Sequence, residues 1–217
     1  MSAEIPQGLL LDVQRRIESV YALEHDAPVT EFLIPETEAA SYPGNGSRTL
    51  VTQDGESVAL GVVLDETVAD GLAASDPRVH LDSGNIGPFC ALTEEVSHFV
   101  YLLFCARSSR SVTQLELELQ GEVDKYLVAL FFRGLYEEGA LSERLRQMLF
   151  ARYELVAGLS AESSERYHEA SRLANRYCAW LESRYLKPRS REALARETRR
   201  FWRLGQREKL ETIAAIY

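Results

Sequence analysis

The spacing of apolar residues divides the chain into a short mixed region and a long helical one. Over residues 8–24, Leu9, Leu10, Val13, Ile17, Val20 and Tyr21 recur three or four apart, with Arg15, Arg16 and Glu18 on the other side. That period is helical. Pro28 ends the region. Val29 to Ile34 is short and β-rich and is stopped by Pro35, which predicts a strand. Glu36 to Ser47 reads as a loop around Tyr42-Pro43-Gly44-Asn45-Gly46.

Arg48 to Gln53 and Glu56 to Leu64 flank Asp54-Gly55. Asp-Gly between alternating runs predicts a hairpin, because both residues tolerate positive φ. Val58, Leu60, Val62 and Leu64 would share one face of its second strand. Glu66 to Ala74 predicts a short helix, and Asp76 to Gly87 a loop leading into Pro88 at a first helical position.

Beyond Pro88 the pattern is helical throughout. Pro88–Arg107 is apolar nearly all round, which predicts a central helix. Ser108-Ser109-Arg110 predicts a tight connection. Ser111 and Gln114 suggest a capping box opening a helix to about Arg133. A third helix is expected over Ser142 to Ala157, closed by Gly158. A fourth, capped by Ser160, runs to about Leu186 before Pro188. Ser190 caps a last helix through Arg203, which Gly205 interrupts before Lys209 to Ile216.

The expected fold is α+β and predominantly α. Residues 1–87 form a helix and a small antiparallel β element, and residues 88–217 a bundle of four to five helices, the two joined in one compact unit.

Composition sets bounds on this picture. The 217 residues are 46% hydrophobic and 26% charged, enough to bury a core without disulfides. Cys90, Cys105 and Cys178 are odd in number, lie in apolar contexts and form no CxxC pair, which predicts buried free thiols in a reducing compartment. Met1 to Gly8 is unlike a signal peptide, and the longest apolar run, Phe99 to Ala106, is short for a bilayer span. A cytoplasmic protein without a membrane partner is the expectation.

Net charge is −9, unevenly spread. Residues 1–140 hold 8 basic and 23 acidic side chains, and residues 141–217 hold 16 and 10. The basic excess is strongest from Arg184 to Lys209. There Arg196, Arg199, Arg200, Trp202 and Arg203 suggest a docking helix for another protein. An acidic chain without a recognised motif makes nucleic acid the lesser candidate. A plainer reading has Leu194, Thr198, Phe201 and Trp202 facing the core, with the arginines solvated beside the acidic first part of the chain.

The candidate chemistry lies in ionisable residues on the most apolar helices. Glu94, Glu95 and His98 interrupt the central helix. Glu116, Glu118, Glu122 and Asp124 interrupt the next. If a tight connection makes these helices antiparallel neighbours, a rise of about 1.5 Å per residue brings His98 level with Glu118 to Glu122. A carboxylate in an apolar arc needs a partner. For Glu122 the candidates are His98 and Lys125.

Glu95-Val-Ser-His98 is an ExxH unit, and Glu165-Arg-Tyr-His168 is a second. Two such units with carboxylates from other helices is the ligand scheme of di-metal carboxylate bundles. Glu95, His98, Glu118 and Glu122 are therefore candidate ligands for iron, manganese or zinc. Glu165 and His168 extend the set, although helical phase turns them toward water. Glu18 is a further candidate carboxylate. His98 with Glu122 is the candidate pair for metal-free acid–base chemistry. The plainer alternative is a buried polar network that fixes helix register. No HExxH, GxSxG, P-loop or GxGxxG motif is present. An interaction or regulatory protein is thus the first expectation, and a metal-dependent oxidoreductase or hydrolase the second.

Overall fold

The computed structural model describes residues 5–24, 26–55, 57–132, 139–151 and 160–216. The protein is predominantly helical with one two-stranded antiparallel sheet. It forms two compact units, residues 1–18 with 24–110 and residues 19–23 with 111–217.

Helix α1 (Leu9–Tyr21), whose residues from Ser19 on belong to the second unit, buries Leu9, Leu10, Val13 and Ile17 in the first, the stripe its periodicity predicts. The expected strand at Val29–Ile34 is instead a 3₁₀ turn, Val29–Phe32. Gln14 explains the difference. Its side-chain oxygen takes the Val29 N–H at 2.7 Å, and its amide donates to the Ala27 carbonyl at 2.9 Å. With its first backbone donor taken and a proline at each end, the segment keeps one bridge, Leu33 to Val62. The short helix α2 (Glu36–Ala39) occupies part of the expected loop.

The hairpin forms as β1 (Arg48–Asp54) and β2 (Ser57–Val63), with Val51 opposite Leu60 and Asp54 opposite Ser57. Asp54 therefore belongs to the strand, and Gly55 alone of the expected turn pair takes a positive φ, +58°. The end of β2 is buried at Gly61, Val62 and Val63. Helix α3 (Glu66–Ala74) is capped by Asp65, whose carboxylate accepts the Thr67 N–H at 2.8 Å. Gly71 of α3 lets the next helix approach, since a Cβ there would sit 2.6 Å from Pro88 Cγ.

That helix, α4 (Ile86–Arg107), starts two residues before its predicted position and buries Phe89, Leu92, Val96, Phe99 and Val100. By length and composition it could cross a membrane, which the shorter run at Phe99–Ala106 did not suggest. About two thirds of the relevant stretch is buried within the protein, as in a core helix. Its C-terminus is closed by the Arg110 N–H on the Cys105 carbonyl, with Ser109 at positive φ.

The second unit begins with α5 (Gln114–Phe132). Its cap is Thr113, whose hydroxyl accepts the Glu116 N–H at 3.2 Å, rather than the expected Ser111. Helix α6 (Gly139–Ala151) follows. The predicted helix ends at Arg133 and Ala157 lie outside the described residues. Helix α7 (Ala161–Leu181) starts at Ser160, whose hydroxyl accepts the Ser163 N–H, as its sequence predicts. It buries Ala170, Leu173, Ala174, Tyr177, Cys178 and Leu181. A π turn, Glu182–Leu186, continues it to Pro188. Helices α8 (Arg191–Arg203) and α9 (Gln206–Ala214) are separated at Gly205, where the sequence places the break.

All three cysteines are free; Cys105 and Cys178 are buried and Cys90 partly so. Burial pushes the Cys178 thiol well above its ordinary range, so it stays protonated and inert.

Candidate functional site

The expected four-ligand set divides between the units, with Glu95 and His98 on α4 and Glu118 and Glu122 on α5. In the first unit, Glu95 and His98 are both buried, with His98 Nδ1 3.8 Å from Glu95 Oε2. One turn of helix places them together. The same carboxylate oxygen accepts the Thr49 hydroxyl of β1 at 2.8 Å. Thr49 was not foreseen, because a contact spanning 46 residues leaves no local mark on the sequence. Glu94, half-buried, lies one turn before His98 on the same helix. Glu95, His98 and Glu94 are thus the first unit's candidate metal donors. Glu18 accepts an amide hydrogen bond from Gln14 at 2.8 Å, and burial raises its pKa.

In the second unit α5 is buried on almost every side, including Glu116, Glu118, Gln120, Glu122 and Asp124. Glu122 accepts from Lys125 Nζ at 2.8 Å, one of the two partners its sequence suggests. A chain of fully buried polar groups lies alongside. Lys209 Nζ of α9 donates to Gln120 Oε1 at 2.6 Å. The Gln120 amide donates to Asp124 Oδ1 at 3.0 Å and to the Tyr21 hydroxyl oxygen at 3.1 Å, and Tyr21 donates its own proton to Asp124. Burial first, then the Asp124 carboxylate, push the Tyr21 pKa far up. The Lys209 ammonium also sits 5.1 Å from the centre of the Phe201 ring.

A second, partly buried group joins α5, α6, α7 and the π turn. Tyr126 donates to Glu182 Oε1 at 3.1 Å, Arg146 Nε to Glu182 Oε2 at 2.7 Å, and Arg146 Nη1 to Asn175 at 2.7 Å. These hydrogen bonds cross-link the helices that carry them. The sequence hid Lys209 inside a basic run. The available signal was its position four residues before buried Ile213, on the inward face of α9.

Glu165 and His168 are both exposed, as their phase predicts, so the second ExxH unit brings no buried donor. Of the acid–base pair, His98 and Glu122 are each 6% exposed.

On α8, Leu194, Thr198, Phe201 and Trp202 are buried, and Arg196, Arg199, Arg200 and Arg203 are exposed. Trp202 stacks on Tyr21 with ring centres 4.0 Å apart and is no part of an outer face. Arg199 and Arg203 donate at 3.3 Å to the Val20 and Tyr21 carbonyls at the C-terminus of α1. Cations suit a helix C-terminus, and α1 carries none in its own last turn. Arg200 pairs with Glu197 at 2.8 Å.

Comparisons with protein-family models, with curated proteins and with solved structures find no match for this chain.

Proposed function

We propose that the protein is a non-catalytic interaction protein whose helix α8 docks an acidic surface of a protein partner. The supporting observation is the composition of the exposed ridge from the π turn through α8. Residues 184–207 carry nine basic side chains and two carboxylates in a chain whose net charge is −9. Arg191, Arg196, Arg199, Arg200, Arg203 and Arg207 are exposed, while the buried stripe Leu194, Thr198, Phe201 and Trp202 holds the helix that presents them. Eight of the nine cations are arginines, whose planar fork suits bidentate pairing with carboxylates. Such a ridge steers an acidic partner and sets its orientation.

Fluorescence anisotropy with a labelled oligoglutamate peptide tests this reading. We expect saturable binding that weakens as salt rises, with at least about a tenfold loss in the combined Arg191→Ala, Arg196→Ala and Arg200→Ala variant. Unchanged binding in that variant sinks the proposal. Tighter binding of single-stranded DNA of equal charge redirects it to nucleic acid.

A metal-dependent enzyme is the second reading, supported by the buried Glu95–His98 pair with its 3.8 Å separation. Imidazole and carboxylate donors suit iron, manganese or zinc. Elemental analysis of protein purified without chelator is expected to find close to one equivalent of metal, lost on His98→Ala. Trace metal that is indifferent to that substitution ends this reading.

A further inference from the structure

We propose that the outer edge of β1 pairs antiparallel with β1 of a second copy of this chain, centred on Val51. β1 is hydrogen-bonded to β2 alone, and the sheet has two strands. Among the described residues, no backbone group of β1 bonds outside the hairpin. One edge is therefore open, and such an edge is a template for another strand. Proteins blunt open edges with charged side chains, proline or a bulge. The central residues of β1, Thr49-Leu-Val-Thr-Gln53, have none of these, the two charges stand only at its ends, and its seven residues pair with β2 in unbroken register.

The occupant follows from the charges. Arg48 and Asp54 stand at opposite ends of β1, and among the described residues neither has an oppositely charged partner. Arg48 is held by the Gly46 and Ala39 carbonyls, which position its guanidinium without neutralising it. Antiparallel pairing about Val51 sets Arg48 opposite Asp54 of the second copy, and Asp54 opposite its Arg48. The same register sets Thr49 opposite Gln53, Leu50 opposite Thr52 and Val51 opposite itself. Directly opposed opposite charges and β-branched pairs stabilise an antiparallel ladder. The strand is self-complementary under a two-fold axis, the commonest symmetry of soluble oligomers.

Exposure agrees with this placement. Val51 is 49% exposed, and Val58, two residue pairs along and so on the same face of the hairpin, is 40% exposed. Pairing makes a four-stranded sheet in the order β2-β1-β1-β2. A seven-residue edge buries well under the roughly 1,000 Å² of a stable interface, so the dimer is weak, with a dissociation constant on the order of 100 µM.

Sedimentation velocity from about 5 µM to about 1 mM tests the pairing, with a Val51 charge swap. Val51 is exposed, so Val51→Lys and Val51→Glu leave the fold intact, which circular dichroism checks. Each places like charges face to face at the two-fold axis and weakens dimerisation by at least about tenfold. An equimolar mixture of the two variants restores a dimer, now of mixed composition. A monomer over the whole range for the wild type, a wild-type dimer that survives Val51→Lys, or a mixture that stays monomeric would each overturn the proposal.

Discussion

Asp124→Ala is expected to destabilise the second unit by about 3–5 kcal/mol, the range for breaking a buried charged network by removing one partner. Asp124 is fully buried on α5 and accepts from both the Tyr21 hydroxyl and the Gln120 amide. Its removal deprives those donors of their acceptor and leaves a small cavity among Tyr21, Gln120 and the helix. For a chain of this size each kcal/mol lowers the melting temperature by about 2–4 °C, so a fall of about 10 °C or more is expected by thermal circular dichroism. Asp124→Asn keeps the volume and one acceptor oxygen, and is expected to cost clearly less. Equal losses for Ala and Asn would show that charge, not hydrogen bonding, carries the effect. A change under about 1 kcal/mol for Ala would remove the network from any structural role. Tyr21→Phe, which removes one hydroxyl and keeps the stack on Trp202, is the milder companion.

That network also marks where sequence reading stops. Helices α3 to α9 follow from their apolar period and from punctuation such as Ser160, Pro188 and Gly205, because those signals act within a few residues. The Glu122–Lys125 pair is legible for the same reason, being one helical turn apart. Tyr21, Gln120, Asp124 and Lys209 meet across separations of 89 to 103 residues, and no local pattern records that. Val29–Ile34 fails as a strand because Gln14, fifteen residues earlier, takes the Val29 N–H. The basic run after Arg184 is legible as charge. Its division into exposed arginines, a buried Trp202 and a buried Lys209 depends on which faces of α8 and α9 turn inward. Helical phase gave the first of these and not the last.

Alkaline pH is expected to unfold the protein steeply, starting near pH 10. Tyr21, Tyr126 and Tyr177 all have their pKa pushed up, chiefly by burial, and then by Asp124 for Tyr21, by Cys178 ahead of Glu182 for Tyr126, and by Glu197 for Tyr177. In the unfolded chain these phenols ionise near their ordinary value of about 10. Below that pH both states hold the protons and the full stability is present. Above it the unfolded chain releases protons that the native state retains, so stability falls as pH rises. Each group contributes about 1.4 kcal/mol per pH unit, giving about 4 kcal/mol per unit for the three phenols. Cys178, also raised by burial, steepens the fall. Two pH units then remove about 8 kcal/mol or more, comparable with the whole stability of an ordinary domain. Absorbance at 295 nm followed together with helix content reads the effect directly. Part of the tyrosine signal should appear only as the helices melt, and Tyr21→Phe should flatten the slope by about a third. Smooth ionisation of all ten tyrosines with helix content unchanged to about pH 12 would mean that these hydroxyls reach solvent in the native fold.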